Sequence, residues 1–255
     1  MKLKGKVALI TGSARGLGFS MAADLLKEGA SVVINDIDEE TVRDAVETLS
    51  NEGHDVNGFA ANVANKDQVV SMIEYVADTY GRLDILVNNA GGALRTPKRL
   101  EDIMEEHWDL VLDVNLKGTF LVSQAAIPAM QKNGGGSIIN LASIGGRTAS
   151  IVTGVSYAAA KAGVIGFTRR LAMEVGNAGI RVNAIAPGLV ISGDRLKETW
   201  ENMPDGEQSE VLGAIPLGRL GTNQELARAV TFLASDDSAY MTGAVLDING
   251  GRFMG

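Results

Sequence analysis

Cysteine is absent from the 255 residues, and histidine occurs only twice, at His54 and His107. No disulfide framework and no thiolate metal site can form, and the two histidines lack the HExxH pairing of a helical zinc site, so no bound metal is expected. A basic excess is also missing: 23 lysines and arginines face 31 aspartates and glutamates, for a net charge of −8. With no basic block along the chain, nucleic acid is not an expected partner. The longest charge-free stretches, Gly118 to Gln131 and Asn133 to Gly146, are 14 residues each, short of the ~20 apolar residues that cross a bilayer. The basic start at Lys2, Lys4 and Lys6 leads only into Val7 to Ile10, too short an apolar run for the core of a secretion signal. The expected compartment is the cytoplasm, and no membrane partner is expected.

Proline is sparse, at five, whereas glycine is abundant, at 31, about 12% of the chain where ~7% is usual. With no repeat period, that excess points to tight turns and close backbone approaches. Lys6 to Thr11 reads as a short strand, Gly12 as a turn, and residues 16 to 29 as a helix with Leu17, Met21, Ala22, Leu25 and Leu26 at helical spacing. The alternation continues. Strands are expected at Ser31 to Asp36, Val56 to Ala60, Asp84 to Asn88, Ser137 to Leu141, Arg181 to Ile185 and Ala244 to Ile248. Helices fall between them, among them a long stretch from Glu105 to Lys132 interrupted at Pro128. Strands apolar on both faces and alternating with helices imply an α/β fold, a doubly wound sheet of about seven parallel strands with helices on both faces. No linker divides the chain, so residues 1–255 are expected to form a single domain, with a charged, irregular lid at about 189–213.

Gly12, Gly16 and Gly18 sit at the first strand-to-helix turn, where a helix N-terminus offers unpaired N–H groups and glycines let a pyrophosphate approach the backbone. Asp36, at the end of the second strand, is placed to accept hydrogen bonds from an adenosine ribose 2′-hydroxyl; its competing role is to cap the next helix, which Asp38 could do instead. Tyr157 and Lys161 stand four apart on one helix face. An ammonium near a phenol lowers the phenol's pKa and makes it a proton donor or acceptor for a carbonyl and its alcohol.

These residues resemble the short-chain dehydrogenase/reductase family over essentially the whole chain. The resemblance rests on Thr11-Gly12-Ser13-Ala14-Arg15-Gly16-Leu17-Gly18, Asn88-Asn89-Ala90-Gly91, Ser143, the Tyr157/Lys161 pair and Pro187-Gly188, in the family's order. It implies a nicotinamide dinucleotide cofactor and a catalytic set of Asn115, Ser143, Tyr157 and Lys161. Tyr157 would exchange the proton, Ser143 would hold the substrate oxygen, Lys161 would lower the tyrosine pKa and bind the nicotinamide ribose, and Asn115 would hold a water linking Lys161 to solvent. The implied cofactor contacts are Gly12, Ser13, Arg15, Gly16, Leu17, Gly18, Asp36 and Ile37. Asn62, Val63, Asn89, Ala90, Gly91, Pro187, Gly188, Val190 and Ser192 complete them, with Asn88 beside the adenosine half and Tyr157 and Lys161 at the nicotinamide end. Asn62 and Ser192 depart from the family's usual Asp and Thr.

Asp36 argues for NAD and Arg15 for NADP; a carboxylate that repels a 2′-phosphate favours NAD. The implied substrate is a small secondary alcohol, polyol or hydroxy acid, or its ketone. Arg95, Arg147 and Arg195, on the loops that set specificity, are candidates to hold an anionic group. The alternative is an NADPH-dependent β-ketoacyl carrier-protein reductase, docking an acidic partner through Lys117, Lys132, Arg169 and Arg170. A sensor that binds a dinucleotide without catalysis is the remote reading. Small residues on the Ser156 to Val175 helix, together with the family's habits, imply a homotetramer.

Overall fold

A computed structural model describes residues 1–149 and 153–255, with 194–196 and 199 described through their backbone alone. Seven short strands alternate with helices: β1 Val7–Ile10, α1 Gly16–Lys27, β2 Ser31–Asp36, α2 Glu39–Asn51, β3 Val56–Ala60, α3 Lys66–Tyr80 and β4 Ile85–Asn88 form the first half. The second half comprises α4 Glu105–Leu112, α5 Gly118–Lys132, β5 Gly136–Leu141, α6 Val155–Val175, β6 Ile180–Pro187, α7 Asp194–Glu201, α8 Asp205–Gly213, α9 Asn223–Ala234 and β7 Val245–Ile248. All seven strands pair in parallel in the order β3-β2-β1-β4-β5-β6-β7, with Leu9 of β1 opposite Val33 on one side and Leu86 on the other. The order reverses between β1 and β4, which opens a crevice at the carboxyl edge.

The central strands are covered on both faces, which is why their side chains are apolar on both parities. Met21 and Leu25 of α1, Val42 and Leu49 of α2 and Leu226 and Val230 of α9 pack on one face. Met72 of α3, Val122 and Met130 of α5 and Val175 of α6 pack on the other. Each fully buried Leu or Met is worth about 1.5–3 kcal/mol over its exposed state. Local signals set the helix ends. Asp38 caps α2 by accepting from Thr41 N at 2.8 Å, which frees Asp36 from that role, and α3 ends on Gly81 with φ +72. At the opposite edge, buried Asp84 accepts from Val7 N and from Arg82 through two nitrogens.

Two expectations change. The break in the Glu105–Lys132 stretch lies at a widened π-turn over Asp113–Lys117, and Pro128 sits inside α5. Side chains replace the disturbed ladder there: Asn115 Nδ2 donates to Val111 O at 2.8 Å, and Thr119 Oγ1 donates to Asn115 O at 2.8 Å. The segment expected as an irregular lid is largely helical, carrying α7 and α8. By length and composition alone the α4–α5 run could cross a membrane, but it is partly buried against the rest of the fold, as the core helix of a globular domain is.

Candidate active site

The crevice floor is the turn between β1 and α1. Gly16 has φ +58, and a Cβ there would run into the main-chain oxygen of Ser192; Gly12 has φ +61, and a Cβ would come within 2.7 Å of Ala90 Cα. Asn89 fastens this turn to the end of β4, its Nδ2 donating to Thr11 O at 3.0 Å and Gly12 O at 2.7 Å. Thr11 Oγ1 accepts in return from Asn89 N and Ala90 N. Two implied cofactor contacts turn inward instead. The Ser13 hydroxyl donates to Ile10 O at 2.6 Å and its amide to Asn35 O at 2.7 Å, so both hold the turn together. Asn88 is buried, donating to Ser123 Oγ and Asn140 Oδ1 across the core; its strand is buried on both faces, which points this residue away from the crevice.

At the outer end of the crevice, Asp36 is half-buried, with its carboxylate accepting from Ile37 N at 2.9 Å, and Ile37 is 69% exposed. Arg15 is exposed on the same rim, close enough for its charge to help hold the Asp38 carboxyl below the usual range, after the hydrogen bonds from Thr41. Leu17 and Gly18 open α1. Asn62 follows β3 and accepts from Ala64 N at 2.9 Å, while Val63 is buried against Gly118. Gly91 lies so close to the Asn115 side chain that a Cβ would strike it. Pro187 ends β6, Gly188 N donates to Ile248 O at 2.9 Å, and Val190 bridges to Gly221. This segment then carries Ser192 back to the glycine turn as one wall.

At the inner end, Ser143 follows β5 and accepts from Gly145 N at 3.1 Å. Tyr157 and Lys161 stand on α6. Lys161 is 4% exposed, and its ammonium donates to Leu141 O at 2.6 Å, 5.6 Å from the Tyr157 ring centre. Burial lowers the Lys161 pKa to about 8. Burial also raises the Tyr157 phenol above its ordinary value, while the hydrogen bond with Ser143 pulls it down. The ammonium of Lys161 turns to Leu141 O, and desolvation of the phenol sets the direction of the Tyr157 shift. Asn115 is fully buried, and its amide exchanges hydrogen bonds with Gly92 N and Gly92 O, each at 2.9 Å. Its side chain is a strut between the π-turn and the loop after β4.

Of the three candidate arginines, the two whose side chains are described point to different surroundings. Arg95 is exposed, on a loop where Leu94 and Arg95 both have positive φ, at 52° and 61°. Arg147 Nη2 donates to Asp247 Oδ2 at 2.9 Å, and its guanidinium lies over Phe253, so it faces β7 and the C-terminal residues. The Arg195 side chain lies outside the described residues. The Leu141 carbonyl and Asp247 are partners that sequence reading missed. The first is backbone and leaves no sequence signal, whereas an acid in the otherwise apolar strand Val245–Ile248 was legible.

A glycine cradle that a Cβ would fill, a helix N-terminus beside it and a carboxylate at the end of β2 suit a dinucleotide. With a serine, a tyrosine and a lysine at the far end, fold and site define an oxidoreductase acting on CH–OH groups with a nicotinamide dinucleotide. The chain belongs to the short-chain dehydrogenase/reductase family. Residues 12–252 match the family described as enoyl-(acyl carrier protein) reductase. Among curated relatives, the (2S)-[(R)-hydroxy(phenyl)methyl]succinyl-CoA dehydrogenase subunit BbsD of Thauera aromatica is 44% identical, over 99% of this chain and 98% of its own. The 3-oxoacyl-[acyl-carrier-protein] reductase of Thermotoga maritima is 41% identical over 98% and 99%. The crystal structure of gox2181 superposes with a TM-score of 0.93 at 35% identity, covering 98% of this chain and 96% of the other.

Proposed function

We propose that the chain is an NAD(H)-dependent enzyme that interconverts a small secondary alcohol and its ketone, with Tyr157 as the proton-transferring group. The observation that carries this reading is the Ser143, Tyr157 and Lys161 cluster, in a crevice whose outer end carries Asp36. When bound, the nicotinamide gives or takes the hydride. Tyr157, kept protonated by burial, donates its proton to the ketone oxygen as the substrate carbon is reduced, or accepts the alcohol's proton in reverse. Ser143 holds that oxygen and stabilises the charge developing on it. Lys161 supports the phenolate and, with a pKa near 8, returns its proton. Asp36 favours NAD because its carboxylate opposes a 2′-phosphate, and the charge of Arg15 is partly met by Asp38. Along the glycine turn, Gly12, Gly16 and Gly18 supply backbone access, and the 189–213 segment, with α7 and α8, serves as the lid.

Within this class, the names of the two relatives favour acyl groups borne on coenzyme A or a carrier protein. Coenzyme A is the better fit. Two of the four cations that would dock an acidic carrier already have an acidic neighbour one helical turn away, Lys117 beside Asp113 at 3.2 Å and Arg170 beside Glu174 at 3.5 Å, which weakens the positive field a carrier would meet. Fluorescence titration with NADH and NADPH, followed by an assay of acetoacetyl-CoA reduction, tests both levels. Tighter NADH with turnover supports the reading. Tighter NADPH overturns the assignment to Asp36, and oxidation of polyols without acetoacetyl-CoA turnover overturns the thioester. Exposed small residues on α6, Ala159, Ala162 and Gly166, support a homotetramer; light scattering should give four times 26.7 kDa.

A further inference from the structure

The turn that carries Ser143 also confines Lys161. Leu141 O accepts the ammonium, and Gly146 packs so closely on α6 that a Cβ would sit 2.6 Å from the Lys161 carbonyl carbon. Between them, Gly146 N donates to Ser143 O at 3.0 Å, and Arg147 N donates to Ile144 O at 2.9 Å. Residues 141–147 thus form one tight unit whose last member is Arg147. The Arg147 side chain runs away from the crevice to β7 and the residues after it. Nη2 donates both to Asp247 Oδ2 at 2.9 Å and to Gly255 O at 3.1 Å, and the guanidinium carbon lies 4.9 Å from the centre of the Phe253 ring. The two charged side chains are only 13% and 16% exposed. The residues after β7 are themselves ordered by Asn249, whose Oδ1 accepts from Gly251 N and whose Nδ2 donates to Phe253 O.

We propose that Arg147, locked between Asp247 and Phe253, is a positioning residue that holds the Ser143 turn against Lys161, so that β7 and the residues after it set the geometry of the reacting groups. This rests on the reading of Ser143 and Tyr157 given above. A largely buried ion pair exerts directional force that a solvated one does not, because little water competes for either partner. The cation over an aromatic face adds to the restraint. The arrangement also explains why this arginine is unsuited to a substrate anion: its charge is already met by Asp247.

Two readouts test the proposal on the full-length chain: hydrogen exchange in peptides spanning residues 141–149, and steady-state reduction of acetoacetyl-CoA by NADH. Arg147→Ala and the near-isosteric Asp247→Asn should each speed exchange in residues 141–149 and leave peptides from β1 and α1 unchanged. Each should also lower kcat about tenfold, with the Michaelis constants changed less than about twofold. Adding Ser143→Ala to Arg147→Ala should cost little beyond Ser143→Ala alone, since both act through the same hydroxyl. Exchanging the charges, Arg147→Asp with Asp247→Arg, should restore part of the protection. Unchanged exchange in Asp247→Asn overturns the proposal, as does a raised Michaelis constant at unchanged kcat, which would make Arg147 a substrate ligand. If the unaltered chain does not turn over acetoacetyl-CoA, the substrate class fails, and the exchange measurement still decides whether the restraint exists.

Discussion

Replacing Lys161 by methionine removes a charge from a site that is only 4% exposed and keeps most of the side chain's length. In the folded chain burial lowers the lysine pKa from 10.5 to about 8. Between those values the unfolded chain binds a proton that the folded chain does not, so unfolding is opposed more strongly as pH rises. Below pH 8 Lys161 therefore carries a desolvation penalty, and that penalty fades as pH rises from about 8 to 10.5. At about 1.4 kcal/mol per unit it amounts to about 3 kcal/mol. The change with pH is the sharper quantity. Relative to Lys161→Met, the unaltered chain should gain about 3 kcal/mol between pH 7.5 and pH 10.5, with a slope of up to about 1.4 kcal/mol per unit. Urea unfolding of both chains across that range measures it, and activity should be lost in the variant throughout. A stability difference that does not vary with pH would refute the argument that Lys161 is held in a desolvated site.

Ser143→Ala should lower kcat about 100-fold in steady-state assays while leaving NADH binding unchanged, since it removes one donor to the substrate oxygen. Asn89→Ala deletes the two bonds that hold the glycine turn to β4; a loss of about 1–3 kcal/mol in urea unfolding and weaker NADH binding are expected. Asp36→Ser removes the carboxylate and leaves Arg15 in place, so the ratio of NADPH to NADH affinity should rise at least tenfold by fluorescence titration, and an unchanged ratio would clear Asp36 of that role. Because burial keeps Tyr157 protonated below its raised pKa, alcohol oxidation should accelerate and ketone reduction should slow as pH rises through the alkaline range; parallel profiles in the two directions would contradict Tyr157 as the shared group.

What the sequence disclosed and what it withheld divide along physical lines. The strand–glycine–helix start and the Tyr157/Lys161 pair were legible because each depends on neighbours a few residues away: a φ that only glycine accepts readily, or two side chains one helical turn apart. A parallel sheet of about seven strands was legible from alternation and burial on both faces, whereas the order in which they pair was not. Side-chain direction was not. Asn88 and Asn89 are adjacent, yet one joins the core and the other clips the glycine turn, and only the packing of α5 and β5 around β4 decides which. Arg147 and Asp247 lie 100 residues apart, so nothing local marks them as partners. The position of Asn115 was legible, but its side chain's bonds to Gly92 depend on a π-turn at Asp113–Lys117, whereas the sequence pointed to a break at Pro128.

The central claim, that Tyr157 moves the proton in an NAD(H)-linked reduction, is tested most directly by comparing the unaltered chain with Tyr157→Phe in acetoacetyl-CoA reduction, with NADH affinity measured alongside. The account predicts that kcat falls by about 10²–10⁴ while NADH binding is retained. Turnover that survives the loss of the phenolic hydroxyl would contradict it.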